Sequence, residues 1–323
     1  MNKIYKVGGL FSGVGGIELG FANQENFKIA WGTDFDVHAS KTYRKNFSHP
    51  FHEIDINKLK GKDLEEVDVL VAGFPCQPFS VAGYQKGFED ERGDVFFQII
   101  RVINELSKKP DVLLLENVKN IYTHDKGKTF RIIQESLKQT GYYVLSKIMN
   151  TCNYTNVPQN RERTFIMCFL KGKNYRTDYL EKSFLSKRKT ELRPVSDFLT
   201  DSIVDEKYYY REDKYNYNEL VASITKRDTF YQWRRVYVRE NKSGVCPTLT
   251  ANMGTGGHNV PLIKDDYGIR KLTPRECFNL QGFPENFKLP KQVSNTQLYK
   301  QAGNSVTVDM FKKLSLVIYN LIK

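Results

Sequence analysis

The chain has 323 residues and is strongly basic, with 49 Lys and Arg against 37 Asp and Glu and a net charge of +12. At roughly 150 residues per domain, this length predicts about two domains. A chain that is 40% hydrophobic and 27% charged, without a low-complexity run, is not collagen, coiled coil or intrinsically disordered. It has no membrane-length apolar run and no signal-peptide core. We therefore expect a cytoplasmic protein with no membrane partner.

The positive charge favours a polyanionic partner, although many soluble proteins are simply basic. The five cysteines are widely spaced, odd in number, and free of any Cys-x-x-Cys pair. This pattern indicates neither a disulfide framework nor a zinc site, and we expect no metal.

Short apolar segments alternate with helical segments through the first half of the chain. The pattern predicts strands at 7–11, 28–32, 68–72, 111–115 and 164–170, and helices at 17–23, 37–47, 95–106 and 130–137. Repeated βα units with nearly continuous apolar strands are typical of α/β proteins. We expect a doubly wound, mostly parallel sheet with helices on both faces.

The pattern breaks near Lys171 and gives way to a basic, tyrosine-rich region of weak periodicity. We expect a smaller, irregular second domain at 191–271 and a hinge at 272–299. An amphipathic helix over 306–322 would return to the first domain, which would then comprise 1–190 and 300–323.

A glycine cluster (Gly13, Gly15, Gly16 and Gly20) follows the first strand and opens a helix. Glycines allow a sharp turn and the close approach of a ligand. Asp34, at the end of the second strand, is well placed to accept hydrogen bonds from ribose hydroxyls. The pattern favours a nucleoside-type cofactor, and leaves open a dinucleotide, S-adenosylmethionine, or a purely structural glycine turn.

Cys76 lies just past a buried strand, in the segment GFPCQPFS at 73–80. Ligands of open α/β sheets bind at that edge, and the two prolines stiffen the loop. Cys76 is therefore the candidate nucleophile. The alternatives are an unreactive buried thiol, or Cys246, which precedes a proline in another loop. The glycine-bearing segment 80–93 that follows is a candidate lid.

Glu116 directly follows the strand at 111–115, so it lies at the same sheet edge as Cys76. At that edge it is a candidate acid. Arg161 and Arg163 are two residues apart and project to one side of an extended segment. They could grip a phosphate or fix a base carbonyl, or simply form a charged strand edge.

Taken together, these segments resemble the bacterial DNA (cytosine-5) methyltransferases of restriction–modification systems. The matches appear in the family's order: LFSGVGG at 10–16, GFPCQPFS at 73–80, ENV at 116–118, QNRER at 159–163, RKLTPRE at 270–276, QGFP at 281–284 and QAGNSV at 301–306. Only about 171–245 lies outside them, where that family places its variable target-recognition region. Two positions depart from the family: Gly9, where Asp is frequent, and Asp34, where Glu is commoner.

The resemblance implies a Rossmann-like methyltransferase fold that binds S-adenosylmethionine and releases S-adenosylhomocysteine. Phe11 and Phe35 would sandwich the adenine. The expected cofactor residues are Phe11, Gly13, Gly16, Asp34, Phe35, Asp55, Ile56, Pro75 and Asn304.

The resemblance also implies a covalent mechanism. The Cys76 thiolate would add to carbon 6 of a cytosine flipped out of the duplex, while Glu116 engages ring nitrogen 3. Arg163 would hold the base carbonyl, and Arg161 would steady the loop.

The expected partner is double-stranded DNA, bound by a monomer whose functional partner is a cognate restriction endonuclease. Residues 191–271 would form the target-recognition domain. Expected DNA contacts are Ser80, Arg227, Gln232, Arg234, Arg235, Arg239 and Thr248. Neither the recognition sequence nor the acceptor of the carbon 5 proton follows from the sequence.

Three other functions compete with this interpretation. A nicotinamide-dependent oxidoreductase leaves Pro75-Cys76-Gln77 unexplained. A non-catalytic DNA-binding protein leaves the intact Cys76, Glu116 and Arg163 set unexplained. Methylation assays with DNA and with tRNA would distinguish this interpretation from a relative that acts on tRNA.

Overall fold

The computed structural model describes residues 3–75, 95–175, 186–214, 216–234, 236–255 and 259–323. The chain divides into two compact units. The first unit contains Met1–Met149, Glu162–Ser186 and Met310–Lys323, and the second contains Asn150–Arg161 and Lys187–Asp309. The functional division into catalytic domain, recognition domain and hinge stays a prediction. No helix in the described ranges has both the length and the apolar character needed to cross a membrane.

A seven-stranded sheet forms the first unit, in the order β3-β2-β1-β4-β5-β7-β6 within the described ranges. Strands β1 to β5 pair in parallel, while β7 runs antiparallel to β5. The order reverses between β1 and β4, as in other doubly wound sheets. The strands are β1 (Tyr5–Leu10), β2 (Phe27–Asp34), β3 (Phe51–Glu53), β4 (Val69–Gly73), β5 (Val112–Val118), β6 (Tyr142–Asn150) and β7 (Glu162–Leu170).

Helices cover both faces of this sheet. They are α1 (Gly16–Ala22), α2 (Val37–Asn46), α3 (Val95–Glu105), α4 (Lys128–Gln139) and α9 (Val308–Ile322). Helices α3 and α4 share one hydrophobic core with Ile166 of β7. The ring of Phe311 in α9 packs 5.8 Å from that of Phe165. Because neighbouring strand residues point to opposite faces, α9 lies on the other side. The predicted α/β class is confirmed.

Strands β3 and β6 are absent from the sequence-based prediction for a physical reason. Strand β3 has three residues, two of them exposed, and most of β6 is only partly buried. Apolar runs identify strands buried on both faces, such as β5, whose residues from Val112 to Leu115 are fully buried. Short or partly exposed strands lack that signal.

The second unit holds an antiparallel four-stranded sheet in the order β11-β10-β8-β9 within the described ranges. Weak periodicity predicted an irregular region here, yet a small core of Leu220, Ile224, Tyr231, Trp233, Leu262 and Ile269 orders it. The elements are α5 (Thr151–Tyr154), α6 (Tyr217–Ser223), β8 (Phe230–Trp233), β9 (Val238–Asn241), β10 (Leu262–Lys264), β11 (Ile269–Lys271), α7 (Pro274–Asn279) and α8 (Asn295–Asn304).

A buried charge network lies where β11 meets α7. The Arg270 guanidinium donates to both carboxylate oxygens of Glu276, at 2.7 and 2.8 Å, and to Asp265 at 2.6 Å. Arg270 and Glu276 are fully buried. Glu276 also closes a capping box with Thr273 at the start of α7. Each charge is therefore paired, and the pair fixes the start of the helix.

Replacing Glu276 with Ala should cost about 3–5 kcal/mol of the free energy of unfolding, because Arg270 stays buried without its main partner. Urea denaturation followed by circular dichroism measures this. The matched control is Glu240→Ala, which removes the partner of the exposed Lys226 at 2.8 Å. Its effect should be much smaller, and equal losses would contradict the role given to burial.

Candidate functional site

The loop after β1 turns sharply at the carboxyl end of the sheet. Phe11 and Gly13 both have φ of 55°, a conformation that is costly for a residue such as Phe. The Ser12 N–H donates to the Thr33 carbonyl at 2.8 Å, and the Gly15 N–H donates to the Ser12 carbonyl at 2.8 Å. The loop is thus held between β1 and the end of β2.

Asp34 holds this loop with its carboxylate. One oxygen accepts from the Gly13 N–H at 2.7 Å, and the other accepts from the Asp36 N–H at 2.9 Å. Burial raises the pKa of Asp34, and these two backbone donors oppose the rise. The residue is partly exposed.

An aromatic ring and a second carboxylate lie along the same edge. Phe35 is 67% exposed, which is unusual for a phenylalanine directly after a buried strand. Asp55 is exposed, and Ile56 beside it is buried. Because β2 and β3 are parallel, with Asp34 opposite Glu53, these residues emerge at one edge. No atom of the described residues lies within 4 Å of the point that a Cβ on Gly13 would occupy.

Glu116 and Arg163 form an ion pair across β5 and β7. Arg163 Nε lies 3.0 Å from Glu116 Oε1, and the two side chains are 14% and 10% exposed. Strand register explains the pairing, since Val118 lies opposite Arg163 and Glu116 lies opposite Phe165. The sequence predicts Glu116 at this sheet edge, and the structure brings Arg163 into contact with it.

Asn117 ties this pair to the segment that leads towards Cys76. Its side-chain amide donates to the Phe74 carbonyl at 2.9 Å, and its amide oxygen accepts from the Val118 N–H. Phe74 is buried and Pro75 is exposed. The Cys76 and Ser80 predictions, like the lid at 80–93, lie outside the described residues.

The other cysteines are poor candidates for a nucleophile. Cys168, Cys246 and Cys277 are fully buried, and burial raises the pKa of each thiol. A raised pKa leaves little of the reactive thiolate. Cys246, the main alternative to Cys76, is therefore inert in this structure. Cys152 is partly buried, and its thiol donates to Asn150.

Arg161 lies in the second unit and is 3% exposed. Its guanidinium donates to the carbonyls of Leu249 at 2.9 Å and Gly303 at 3.3 Å, and also to that of Ser305. It therefore joins the chain before β7 to the segment after α8. Asn304, expected at the cofactor, is an exposed residue of the same unit.

Three of the expected DNA contacts share one face of a hairpin. Gln232 of β8 lies opposite Arg239 of β9, and Arg234 donates to the Gln232 side chain at 3.1 Å. The alternate residues Tyr231 and Trp233 point into the core of the second unit.

The structure describes two further expected contacts, Arg227 and Thr248. Arg227 pairs with the exposed Asp266. The Thr248 hydroxyl donates to the Asn160 carbonyl at 2.5 Å. The structure does not describe Arg235.

Sequence reasoning missed Asn117 as an anchor and Glu18 as a buried acid. Glu18 is the one charged residue of the short helix α1, and that contrast was an available signal. Glu18 also explains the departure at Gly9. A Cβ at residue 9 would lie 2.1 Å from Glu18 Oε1, so a side chain there would require this carboxyl to shift.

The model of the C-5 cytosine-specific DNA methylases matches residues 5–320 of the chain. The chain belongs to this family. It is a DNA (cytosine-5) methyltransferase of the restriction–modification type.

Two relatives of the methyltransferase are similar over almost their whole length. It is 49% identical to the Type II methyltransferase M.Bsp6I of Bacillus sp. (strain RFL6), over 97% of this chain and 98% of that protein. It is 34% identical to the Type II methyltransferase M.HhaI of Haemophilus parahaemolyticus, over 97% and 92%.

Solved structures show the fold of the methyltransferase at lower identity. The Dnmt2 methyltransferase of S. pombe aligns with a TM-score of 0.74 and 23% identity, covering 98% of both chains. The Entamoeba histolytica methyltransferase EhMeth aligns with a TM-score of 0.73 and 18% identity, again over 98% of each. The predicted methyltransferase fold with a second, small domain is confirmed.

In the methyltransferase, Arg161→Lys should lower the free energy of unfolding by about 1.5–3 kcal/mol. Lysine cannot donate to three carbonyls in fork geometry. Urea denaturation measures the loss, and Arg193→Lys, at an exposed pair with Asp197, is the control with a smaller effect. If Arg161→Lys unfolds like the parent but no longer methylates DNA, Arg161 acts on substrate instead.

Proposed function

We propose that this enzyme transfers a methyl group from S-adenosylmethionine to carbon 5 of a flipped cytosine, through a covalent adduct with Cys76. The observation that carries the proposal is the Glu116–Arg163 pair at 3.0 Å, at the sheet edge to which Asn117 ties Phe74. A buried acid paired with a guanidinium is suited to a pyrimidine ring that gains negative charge during the reaction.

The residues at the ends of β1, β2 and β3 fit S-adenosylmethionine by their chemistry. Phe35 offers an exposed ring for an adenine, and Asp34 and Asp55 offer carboxylates for a ribose diol and an amine. The open space beside Gly13 admits a ligand close to the backbone. We infer that Phe11, Gly16, Ile56 and Pro75 complete the pocket, and that Asn304 is a further cofactor residue. The bound cofactor supplies an electrophilic methyl group.

Carbon 5 of cytosine is a weak nucleophile until carbon 6 carries an added group. The Cys76 thiolate forms a bond to carbon 6, and Glu116 donates a proton or a hydrogen bond to nitrogen 3. Arg163 holds both the Glu116 carboxyl and the base carbonyl. Carbon 5 then takes the methyl group and S-adenosylhomocysteine leaves. Loss of the carbon 5 proton and of Cys76 restores the ring and the thiolate.

The base must leave the duplex before this chemistry, because carbon 6 is inaccessible within the stack. We propose that residues 80–93, including Ser80, close over the flipped nucleotide. The hairpin face with Gln232, Arg234 and Arg239 supports contact with base edges and phosphates. Arg227, Arg235 and Thr248 would add further contacts. We propose a monomer on double-stranded DNA, with a restriction endonuclease as functional partner.

Covalent trapping tests the adduct. A duplex with 5-fluorocytosine at the target position, incubated with S-adenosylmethionine, should remain joined to the enzyme through Cys76, because fluorine cannot leave as a proton does. Mass spectrometry of the digested complex locates the bond.

Cys76→Ser should form no adduct and show no methylation, while binding the same duplex about as tightly as the parent. Bisulfite sequencing of methylated DNA supplies the target sequence for these duplexes. Turnover of Cys76→Ser near the parental rate, or no adduct with active enzyme on its correct target, would contradict the mechanism.

Glu116→Gln should slow single-turnover methylation by about 10²–10⁴-fold, because the adduct loses its proton donor. The matched control is Glu162→Gln on the neighbouring strand, an exposed acid paired with Lys119 at 3.0 Å. Its rate should stay near the parent's. A parental rate for Glu116→Gln would remove this acid from the mechanism.

A further inference from the structure

Glu18 is a fully buried acid directly beneath the proposed cofactor loop. It lies in the first turn of α1, and its residue exposure is 0%. Neither carboxyl oxygen accepts a well-aligned hydrogen bond from another described group, although the nearby Ser12 hydroxyl favours the charged form. An ionised carboxylate that stays buried and unpaired is costly, so its retention calls for a reason.

The position of this carboxyl is defined by the glycine above it. The point where a Cβ on Gly9 would stand is 2.1 Å from Glu18 Oε1 and 2.7 Å from the Ser12 hydroxyl oxygen. The carboxyl and the hydroxyl therefore share one small space under the end of β1. A side chain at residue 9 would displace them both.

Ser12 connects Glu18 to the loop. Its hydroxyl oxygen accepts from the Thr33 N–H at 3.1 Å, and its own N–H donates to the Thr33 carbonyl. Thr33 precedes Asp34, which binds the Gly13 N–H. Ser12 therefore links the space that holds the Glu18 carboxyl to the end of β1 and, through Thr33, to the end of β2.

Among the described residues, few other titratable groups face this carboxyl. Burial raises the pKa of Glu18 to about 7, the Ser12 hydroxyl opposes the rise, and Asp34 adds to it. Tyr43 of α2 also faces it, with a pKa raised by burial and by Glu18. The Tyr43 hydroxyl lies 2.6 Å from His49 Nε2, and burial lowers the pKa of His49 to about 4. His49 is therefore neutral between pH 6 and 8, where Glu18 titrates.

We propose that Glu18 is a positioning residue that becomes ionised when S-adenosylmethionine binds, so that its buried charge favours the sulfonium cofactor over the neutral-sulfur product. The inference rests on the proposed function, because it assumes that this cofactor occupies the loop above Ser12. A sulfonium held by the loop above Ser12 would stabilise the Glu18 carboxylate and favour loss of its proton. S-adenosylhomocysteine carries no charge on sulfur and gives less stabilisation.

The sign of the pH dependence follows from this linkage. If the bound cofactor favours the ionised acid, binding releases a proton and affinity rises as pH increases through about 7. A shift of one pKa unit in Glu18 corresponds to at most about a tenfold gain. The expected gain for S-adenosylmethionine between pH 6 and 8 is therefore about three- to tenfold, and that for S-adenosylhomocysteine is clearly smaller.

Isothermal titration calorimetry of the full chain, without DNA, measures both dissociation constants at several pH values. Glu18→Gln should give S-adenosylmethionine binding that no longer changes with pH. A slope that persists in Glu18→Gln would assign the titration to another group such as Asp34, and would overturn the proposal. The control Glu25→Gln, an exposed acid just after α1, should keep the parental slope.

A second measurement needs no variant. Titrations of the parent near pH 7, in buffers of different ionisation enthalpy, report the number of protons released. Release with S-adenosylmethionine but little with S-adenosylhomocysteine supports the proposal. Equal release with both, or none, overturns it. A failure of both ligands to bind would overturn the proposed function itself, which keeps the two failures distinct.

Discussion

The antiparallel pairing of β5 with β7 is the constraint on which the proposed site depends. It sets Val118 opposite Arg163 and so brings the Arg163 guanidinium to 3.0 Å from Glu116, at the edge where β4 also ends. The same end of β5 carries Asn117, whose amide grips the Phe74 carbonyl. A shift of one residue in register would turn Arg163 to the other face. The Glu116 carboxyl, the Arg163 guanidinium and Phe74, two residues before Cys76, are thus positioned by one strand pair.

The buried charged residues fall into two groups with different roles. Arg270 and Arg161 each donate to several partners, a carboxylate network for one and three carbonyls for the other, which suits structural anchors. Glu116 has only one ion-pair partner within the described residues, and Glu18 has none. Capacity left unsatisfied in a buried acid is what a ligand or a proton can use.

The central sheet could be predicted because its strands are buried on both faces, and Glu116 and Asp34 could be placed because they follow those strands directly. The Glu116–Arg163 contact could not, since it depends on a strand direction that apolar runs do not encode. The hairpin of β8 and β9 packs on a core of few residues. The alternation of Tyr231 and Trp233 with Gln232 is too short to predict a strand within this basic sequence. The chemical residues were therefore easier to predict than the surface that we propose contacts DNA.

Gly9 and Glu18 show how a departure from a family pattern acquires a physical meaning. Taken alone, a glycine at residue 9 removes an acid that relatives often carry near the cofactor. In the structure, the helix returns a carboxyl to the same space from Glu18, and the glycine is what makes room for it. The two positions are coupled by contact, so neither can be interpreted without the other. Burial raises the pKa of the Glu18 carboxyl above that of an exposed acid. Its charge is therefore more readily changed by a ligand that binds in the adjacent loop.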